Sequence, residues 1–162
     1  MTKTEIAMNY LNHGLSVIPL WSRSMIRNSP EHFQQALEKK LKANAALDTP
    51  EAEEDVERKL LINMCKTPII SWTEYSRRLP TEDEVRTWFD RNPDANIGIV
   101  TGKVSGIVVF DLDSSGALEF ADAQGGFPET AMVKSGKGQH VYAKHPGFEI
   151  RSSVNKKLDI DI

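Results

Sequence analysis

The pattern of apolar and polar positions predicts several β-strands in the second half of the chain. Ala95–Val100 and Ile107–Asp113 are short apolar runs joined by a glycine-containing loop, which predicts two strands. Ala131–Lys134 and Gln139–Ala143 flank a Ser-Gly-Lys-Gly loop, which is typical of paired strands. Leu158–Ile162 alternates between apolar and acidic residues, which predicts a further strand at the end of the sequence.

Helical patterns dominate the first half. Thr4–Asn12 is predicted to form a short helix with Tyr10 on its buried side, and Leu15–Leu20 is predicted to follow as a strand. The segment Arg23–Ile62 is rich in Ala, Glu, Lys and Leu, and we predict that it forms two helices separated near Asp48–Pro50.

A capping-box sequence marks the start of one more helix. Thr81 is followed three positions later by Glu84, so each side chain can bond the other residue's backbone N–H. This helix is predicted to continue through Trp88 and Phe89.

Composition narrows the class of protein. The chain has 162 residues, of which 40% are hydrophobic and 27% charged, as in a globular domain. No apolar stretch approaches the roughly 20 residues of a membrane-spanning helix, and the start lacks a signal-peptide pattern. A single cysteine, Cys65, excludes an internal disulfide and a cysteine-rich zinc site. We therefore expect a cytoplasmic protein with no membrane partner and, because the sequence stops within a strand pattern, a fragment of a longer one.

Charge is distributed unevenly, although the net charge is only −3. Acidic residues cluster between Asp48 and Glu57, whereas basic residues outnumber acidic ones between Lys134 and Lys157. The basic segment could bind a polyanion or form an ordinary solvated surface, and charge alone does not separate these alternatives.

Two carboxylates end the most apolar strand. Asp111 and Asp113 stand on alternate positions, so in a continuing strand both would leave the same face while Leu112 points away. Side-by-side carboxylates repel unless a proton or cation lies between them, and Mg²⁺ or Mn²⁺ is the natural occupant. The alternative is a strand that simply ends in a polar turn.

The Ser-Gly-Lys-Gly loop is a second candidate element. Glycines on both sides of Lys137 would let backbone N–H groups converge on an anion, although the same residues would also make a plain hairpin turn. His140 follows this loop directly. A third element is acidic, because Asp159 and Asp161 again alternate along a predicted strand. Together these elements suggest metal-assisted chemistry on a phosphorylated substrate.

The order of these motifs resembles the bifunctional primase–polymerase (prim-pol) domain of the archaeo-eukaryotic primase superfamily. The matching segments, which cover most of the chain, are Gly14–Leu20, Lys66–Pro68, Trp72, Trp88, Pro93–Ile99, Thr101–Gly102, Val108–Asp113 and Ser135–Tyr142. The resemblance implies an α/β (α+β) fold, with a catalytic core related to the RNA-recognition motif packed on a small N-terminal α/β unit. It implies a single catalytic domain over residues 1–162, in which residues 23–62 form a helical insertion.

The resemblance also implies site residues and partners. The metal ligands for Mg²⁺ or Mn²⁺ would be Asp111, Asp113 and Asp161, with Asp159 in reserve, and these acids and His140 would be catalytic. The nucleotide-binding residues would be Ser135, Gly136, Lys137, Gly138, His140 and Arg151. The implied partners are a single-stranded DNA template, nucleoside triphosphates and a C-terminal helicase domain in the full-length protein, and the implied setting is replication of a plasmid, phage or other mobile element.

Two other functions remain open at this point. The first is an inactive primase-like module that binds nucleotides or nucleic acid without catalysis. The second is a haloacid-dehalogenase-type phosphatase, whose opening motif resembles Val108–Asp113 and whose first Asp is a nucleophile. Those phosphatases usually carry this motif near the N-terminus, within a parallel-sheet core, and have further Lys and acidic motifs downstream.

Overall fold

The computed structural model describes residues 1–43, 50–136, 138–150, 154–155 and 160–161, and the chain divides into two units, Met1–Val100 and Thr101–Ile162. The first unit contains helices, a short two-stranded sheet and one turn of 3₁₀ helix (Thr73–Ser76). Its elements are α1 (Lys3–Asn12), β1 (Ser16–Leu20), α2 (Arg23–Asn28), α3 (Pro30–Ala43), α4 (Pro50–Met64), α5 (Glu82–Arg91) and β2 (Asn96–Val100). β1 and β2 pair antiparallel along their whole length.

Capping boxes start the two helices that pack on this sheet. Thr2 and Glu5 cap α1, and Thr81 and Glu84 cap α5 as predicted. The shared core contains Ala7, Met8, Val17, Val85, Phe89 and Ala95. Tyr10 was predicted to be buried, but it is exposed because α1 turns Ala7 and Met8 toward the core instead.

The described part of the predicted helical insertion forms three helices rather than two. The additional break lies between α2 and α3, where Ser29 precedes Pro30 and has a non-helical backbone conformation. α4 begins at Pro50, as predicted. These helices have a small core of their own, formed by Ile26, Phe33 and Leu60, against which Trp21 and Cys65 pack.

The second unit is built on a five-stranded sheet among the described residues. Its elements are β3 (Ile107–Leu112), α6 (Ser115–Ala123), β4 (Met132–Lys134), β5 (Gln139–Lys144), β6 (Val154–Asn155) and β7 (Ile160–Asp161). The strand order is β4-β5-β3-β7-β6, and every pairing is antiparallel. The predicted pairing of Ala131–Lys134 with Gln139–Ala143 is confirmed, and β3 occupies the centre of the sheet.

One face of this sheet packs against α6. Leu112, Ala117 and Val141 are almost fully buried there, with Phe110 and Leu118 packed around them. Since side chains alternate along a strand, Asp111 and His140 belong to the opposite face. The chain is therefore an α+β protein with antiparallel sheets, in agreement with the coarse fold prediction. Within the described ranges, no helix combines the length and apolar character that a membrane crossing requires.

Candidate active site

The register of the second sheet brings together three predicted site residues. In β3, Asp111 lies directly opposite His140 of β5 on one side and Asp161 of β7 on the other. Residues that are distant in sequence therefore occupy one rung of the sheet. Asp111 has a paired residue on each side because β3 is the central strand of the sheet.

The Asp111 and His140 side chains are close together. His140 Nε2 lies 3.2 Å from Asp111 Oδ1, which is within ion-pair distance when the imidazole is protonated. The two atoms are nevertheless not joined by a hydrogen bond, and Asp111 Oδ1 is buried without a hydrogen-bond partner among the described residues. Leaving a buried acceptor unsatisfied costs about 1–3 kcal/mol, and more if it is charged, so this oxygen is set up to receive a ligand.

The chemistry of this carboxylate fits a divalent cation. Asp111 is 34% exposed and His140 is 36% exposed, so an ion from solvent could reach the pair. Carboxylate oxygens are preferred ligands of Mg²⁺ and Mn²⁺. Considering only described side chains, no group of three or more His, Cys, Asp or Glu residues is assembled for a metal ion. The side chain of Asp161 lies outside that description.

Asp113, unlike Asp111, lies outside the strand. β3 ends at Leu112, so Asp113 is an exposed residue of the connection that leads into α6. The alternation that was predicted to align Asp111 with Asp113 applies only while a strand continues. The direction of the Asp113 carboxylate is therefore set by the β3–α6 connection.

The turn between β4 and β5 is closed by reciprocal hydrogen bonds. The Ser135 N–H donates to the Gly138 carbonyl oxygen over 2.9 Å, and the Gly138 N–H donates to Ser135 Oγ over 3.0 Å. These are the bonds of a hairpin turn, one of the two alternatives that the sequence left open. The Gly138 N–H is therefore engaged within the turn.

Among the described glycines, Gly138 leaves the least room for a Cβ. A Cβ built on Gly138 would lie 1.7 Å from the carbonyl oxygen of Leu112 and 3.1 Å from Cα of Asp113. No side chain fits there unless one of the two segments moves. Gly136 in the same turn has open space at the corresponding position among the described residues.

A cavity of about 420 Å³ lies beside this turn. Gln139 alternates with His140 along β5, so the cavity is on the α6 face of the sheet, opposite the Asp111–His140 pair. It is lined by Ser114, Ser115, Leu118, Lys134, Ser135, Gly136, Gly138 and Gln139.

Sequence reasoning did not single out Ser114 or Gln139 in this lining. Ser114 caps α6 by accepting a hydrogen bond from the Ala117 N–H over 3.1 Å. A Ser placed directly before a helical pattern is a recognisable sequence signal for such a cap. Gln139 carries no comparable signal, because its place depends on strand register.

Three predicted site residues, Lys137, Arg151 and Asp159, lie outside the described residues. Asp161 is described by its backbone alone, which pairs with Asp111. The structure therefore brings together the backbone positions of Asp111, His140 and Asp161, and it places Ser135, Gly136 and Gly138 in the neighbouring turn.

The antiparallel pairing of β3 bears on the phosphatase alternative. Both neighbours of β3 run antiparallel to it. A haloacid-dehalogenase-type phosphatase would place its first Asp at the end of a strand in a parallel sheet. The strand directions therefore disfavour that alternative.

Comparison with known proteins agrees with the motif order. No curated protein and no solved structure shows a significant match to the chain. The family model described as bifunctional DNA primase/polymerase, N-terminal (Prim-Pol) matches residues 7–162, which include both units. Because this match extends over nearly the whole sequence, the chain belongs to the Prim-Pol family of bifunctional DNA primase/polymerase N-terminal domains.

Proposed function

We propose that this chain is a template-directed nucleotidyltransferase that makes and extends primers on single-stranded DNA, with Mg²⁺ or Mn²⁺ as its cofactor. Its family indicates an enzyme of the primase/polymerase type with DNA and nucleotide substrates. The observation that carries the proposal is the rung of Asp111 and His140, in which a buried carboxylate oxygen lacks a hydrogen-bond partner among the described residues.

In the proposed reaction, a 3′-hydroxyl attacks the α-phosphate of a nucleoside triphosphate, and pyrophosphate leaves. Asp111, Asp113 and Asp161 would hold the divalent ions. When bound, two such ions would lower the pKa of the attacking hydroxyl and neutralise charge on the leaving group. The pairing of Asp111 with Asp161 supports this assignment, because paired positions bring two acids to one rung.

His140 is proposed to contact the triphosphate. Its imidazole is partly exposed and stands beside the Asp111 carboxylate, so a phosphate oxygen bound near that carboxylate would lie within its reach. An imidazole N–H donates well to a phosphate oxygen. Gly136, Lys137 and Arg151 are proposed as further phosphate contacts, the last two through their positive charge.

The fold relationship, the extent of the domain and the cellular role are also proposals. A five-stranded antiparallel sheet with a helix on one face supports a relationship to the RNA-recognition motif. The family match across both units supports one catalytic domain over residues 1–162. We place the activity in the cytoplasm, in the replication of a mobile element, with a helicase domain as partner in the full-length protein.

Primer synthesis on single-stranded DNA tests this function. Labelled nucleotides are supplied with Mg²⁺ or Mn²⁺, and the parent chain is compared with a D111N/D113N double variant. We expect products from the parent and a loss of at least about 100-fold in the double variant, because positioned charge at the reacting phosphates supplies several kcal/mol.

The matched control is D122N, which removes an exposed carboxylate from α6. It should polymerise at the parental rate. Equal activity in the double variant would contradict the proposal. Metal-dependent nucleotide binding by the parent without any primer extension would instead support the inactive binding module.

A further inference from the structure

The close approach of Gly138 occurs beside the proposed metal site. Gly138 directly precedes β5, and its backbone lies against the end of β3. The nearest atoms to a Cβ at this position would be the carbonyl oxygen and carbon of Leu112, at 1.7 and 2.8 Å. That peptide group joins Leu112 to Asp113, and Leu112 is in turn the neighbour of Asp111.

The atoms in contact are backbone atoms, so the conflict could not be relieved by a change of rotamer. Leu112 is 1% exposed and packs in the core with Ala117 and Val141, which prevents β3 from moving toward α6. A residue larger than glycine would therefore separate β5 from the end of β3. The rungs that would widen are Leu112–Gln139 and its neighbour Asp111–His140.

The hydrogen bonds of the turn do not support an anion-binding role for the Gly138 amide. Its N–H donates to Ser135 Oγ over 3.0 Å, so a phosphate would have to displace the serine to reach it. A second bond also holds Gly138 in place, because the Ser135 N–H donates to the Gly138 carbonyl oxygen over 2.9 Å. Ser135 and Gly138 are thus joined by two hydrogen bonds, and Gly138 lies against the end of β3.

We propose that Gly138, held by Ser135, is a positioning residue for the carboxylates of the metal site, and that it acts without contacting the nucleotide. This inference rests on the proposed function, because it assumes that Asp111 and Asp113 hold the metal. The missing side chain at position 138 lets the β4–β5 turn lie against the Leu112–Asp113 peptide. That contact fixes the direction of Asp113 after β3 ends, and it fixes the distance between Asp111 and His140.

The test measures Mn²⁺ affinity in the absence of nucleotide, by the electron paramagnetic resonance signal of free Mn²⁺, in the parent chain and in G138A. We expect G138A to bind Mn²⁺ at least about tenfold more weakly, which is the usual cost of losing a group that orients a metal ligand. A residue that only contacts phosphate would raise the KM for nucleotide and leave this affinity unchanged.

The matched control is G116A, a glycine near the start of α6. A Cβ there would meet nothing closer than Ser114 Oγ at 3.8 Å, and alanine favours a helix. G116A should keep the parental Mn²⁺ affinity. Circular dichroism of all variants shows whether the fold is retained.

A second pair of variants covers the case in which G138A does not fold. S135A removes the oxygen that accepts from the Gly138 N–H and adds no atoms, whereas S135T keeps that oxygen. We expect S135A to weaken Mn²⁺ binding about threefold and S135T to restore it, because the bond from the Gly138 N–H to Ser135 Oγ helps to hold the turn against β3.

The outcomes separate this inference from the proposed function. If the parent binds Mn²⁺ and extends primers while folded G138A and S135A bind the ion as tightly as the parent, the positioning role of Gly138 is wrong and the function stands. If the parent binds no Mn²⁺ and makes no product, the proposed function fails and takes this inference with it.

Discussion

At the scale of single residues, the most informative atom is Asp111 Oδ1. It is buried, it lacks a hydrogen-bond partner among the described residues, and it lies 3.2 Å from an imidazole nitrogen. Proteins retain such unsatisfied groups chiefly where function needs them, because each one lowers the stability of the fold. We therefore expect Asp111 to stabilise a bound ion and to lower the stability of the ion-free protein.

We predict that D111N gains stability while it loses metal binding. The substitution removes the charge of a carboxylate whose Oδ1 is buried without a hydrogen-bond partner among the described residues, so the ion-free variant should unfold at a temperature equal to or a few degrees above that of the parent. Its Mn²⁺ affinity should fall by at least about tenfold. Thermal unfolding followed by circular dichroism, with and without Mn²⁺, measures both effects. A clearly lower unfolding temperature without metal would show that the carboxylate is structural.

At the scale of elements, the start of α5 is tied to the preceding 3₁₀ turn by charge. The Glu84 carboxylate accepts hydrogen bonds from Arg78, from the Thr81 N–H and from the Tyr75 hydroxyl, at 2.8, 2.7 and 3.0 Å. The bond from Arg78 is the largest cause that lowers the pKa of Glu84 to about 2. Burial, aided by the bond to Glu84, raises the pKa of Tyr75 to about 12. The guanidinium of Arg78 also lies over the Tyr75 ring, 4.7 Å from its centre.

We predict a pH-dependent loss of stability in E84Q. Because folding lowers the pKa of Glu84, its charge stabilises the fold above the unfolded pKa of about 4.5, and this contribution disappears as pH falls toward 2. Gln can still complete the capping box, so E84Q removes mainly the charge. Since Arg78 is 42% exposed, solvent screening limits the expected loss at pH 7 to about 1 kcal/mol.

Urea denaturation of the parent and E84Q at pH 7 and pH 2.5 measures this difference. The two proteins should converge at the lower pH. The control is E82Q, whose carboxylate lies 3.6 Å from the exposed Arg86 guanidinium and which should match the parent at pH 7. A constant difference between E84Q and the parent at both pH values would contradict the charge argument.

At the scale of the whole molecule, hydrogen bonds join the segments at the two ends of the helical insertion. The Trp21 N–H donates to the Thr67 carbonyl over 3.0 Å, and the Ile69 N–H donates to the Pro19 carbonyl over 2.9 Å. The chain thus leaves β1 and returns beside it, and the helices between have a core of their own. Closely spaced ends make such a segment replaceable.

We predict that replacing residues 23–64 with a short Gly-Ser linker leaves Mn²⁺ affinity at the parental value. The Asp111–His140 pair and its supporting core belong entirely to the second unit. Mn²⁺ titration, with circular dichroism as the check on folding, measures this. Loss of the affinity in a folded deletion variant would overturn the prediction. Parental Mn²⁺ affinity combined with lost primer extension would assign the insertion a role in contacting the template.

The sequence by itself predicted many of the described elements and identified candidate site residues on them. Alternation and capping signals predicted β3, β5 and α5 to within one or two residues, since these patterns depend on local backbone geometry. The same patterns identified Asp111 and His140 as candidates. The number of helices in the insertion was wrong, because the break at Ser29–Pro30 was not recognised in a sequence of strong helix formers.

Only the tertiary structure decided how these residues meet. Strand order and register place Asp111 between His140 and Asp161, and hydrogen bonds between segments distant in sequence set that register. The Asp111 oxygen without a partner and the tight fit of Gly138 against Leu112 are likewise properties of the packed sheet. Both depend on non-local contacts, which leave no periodic signal in the sequence.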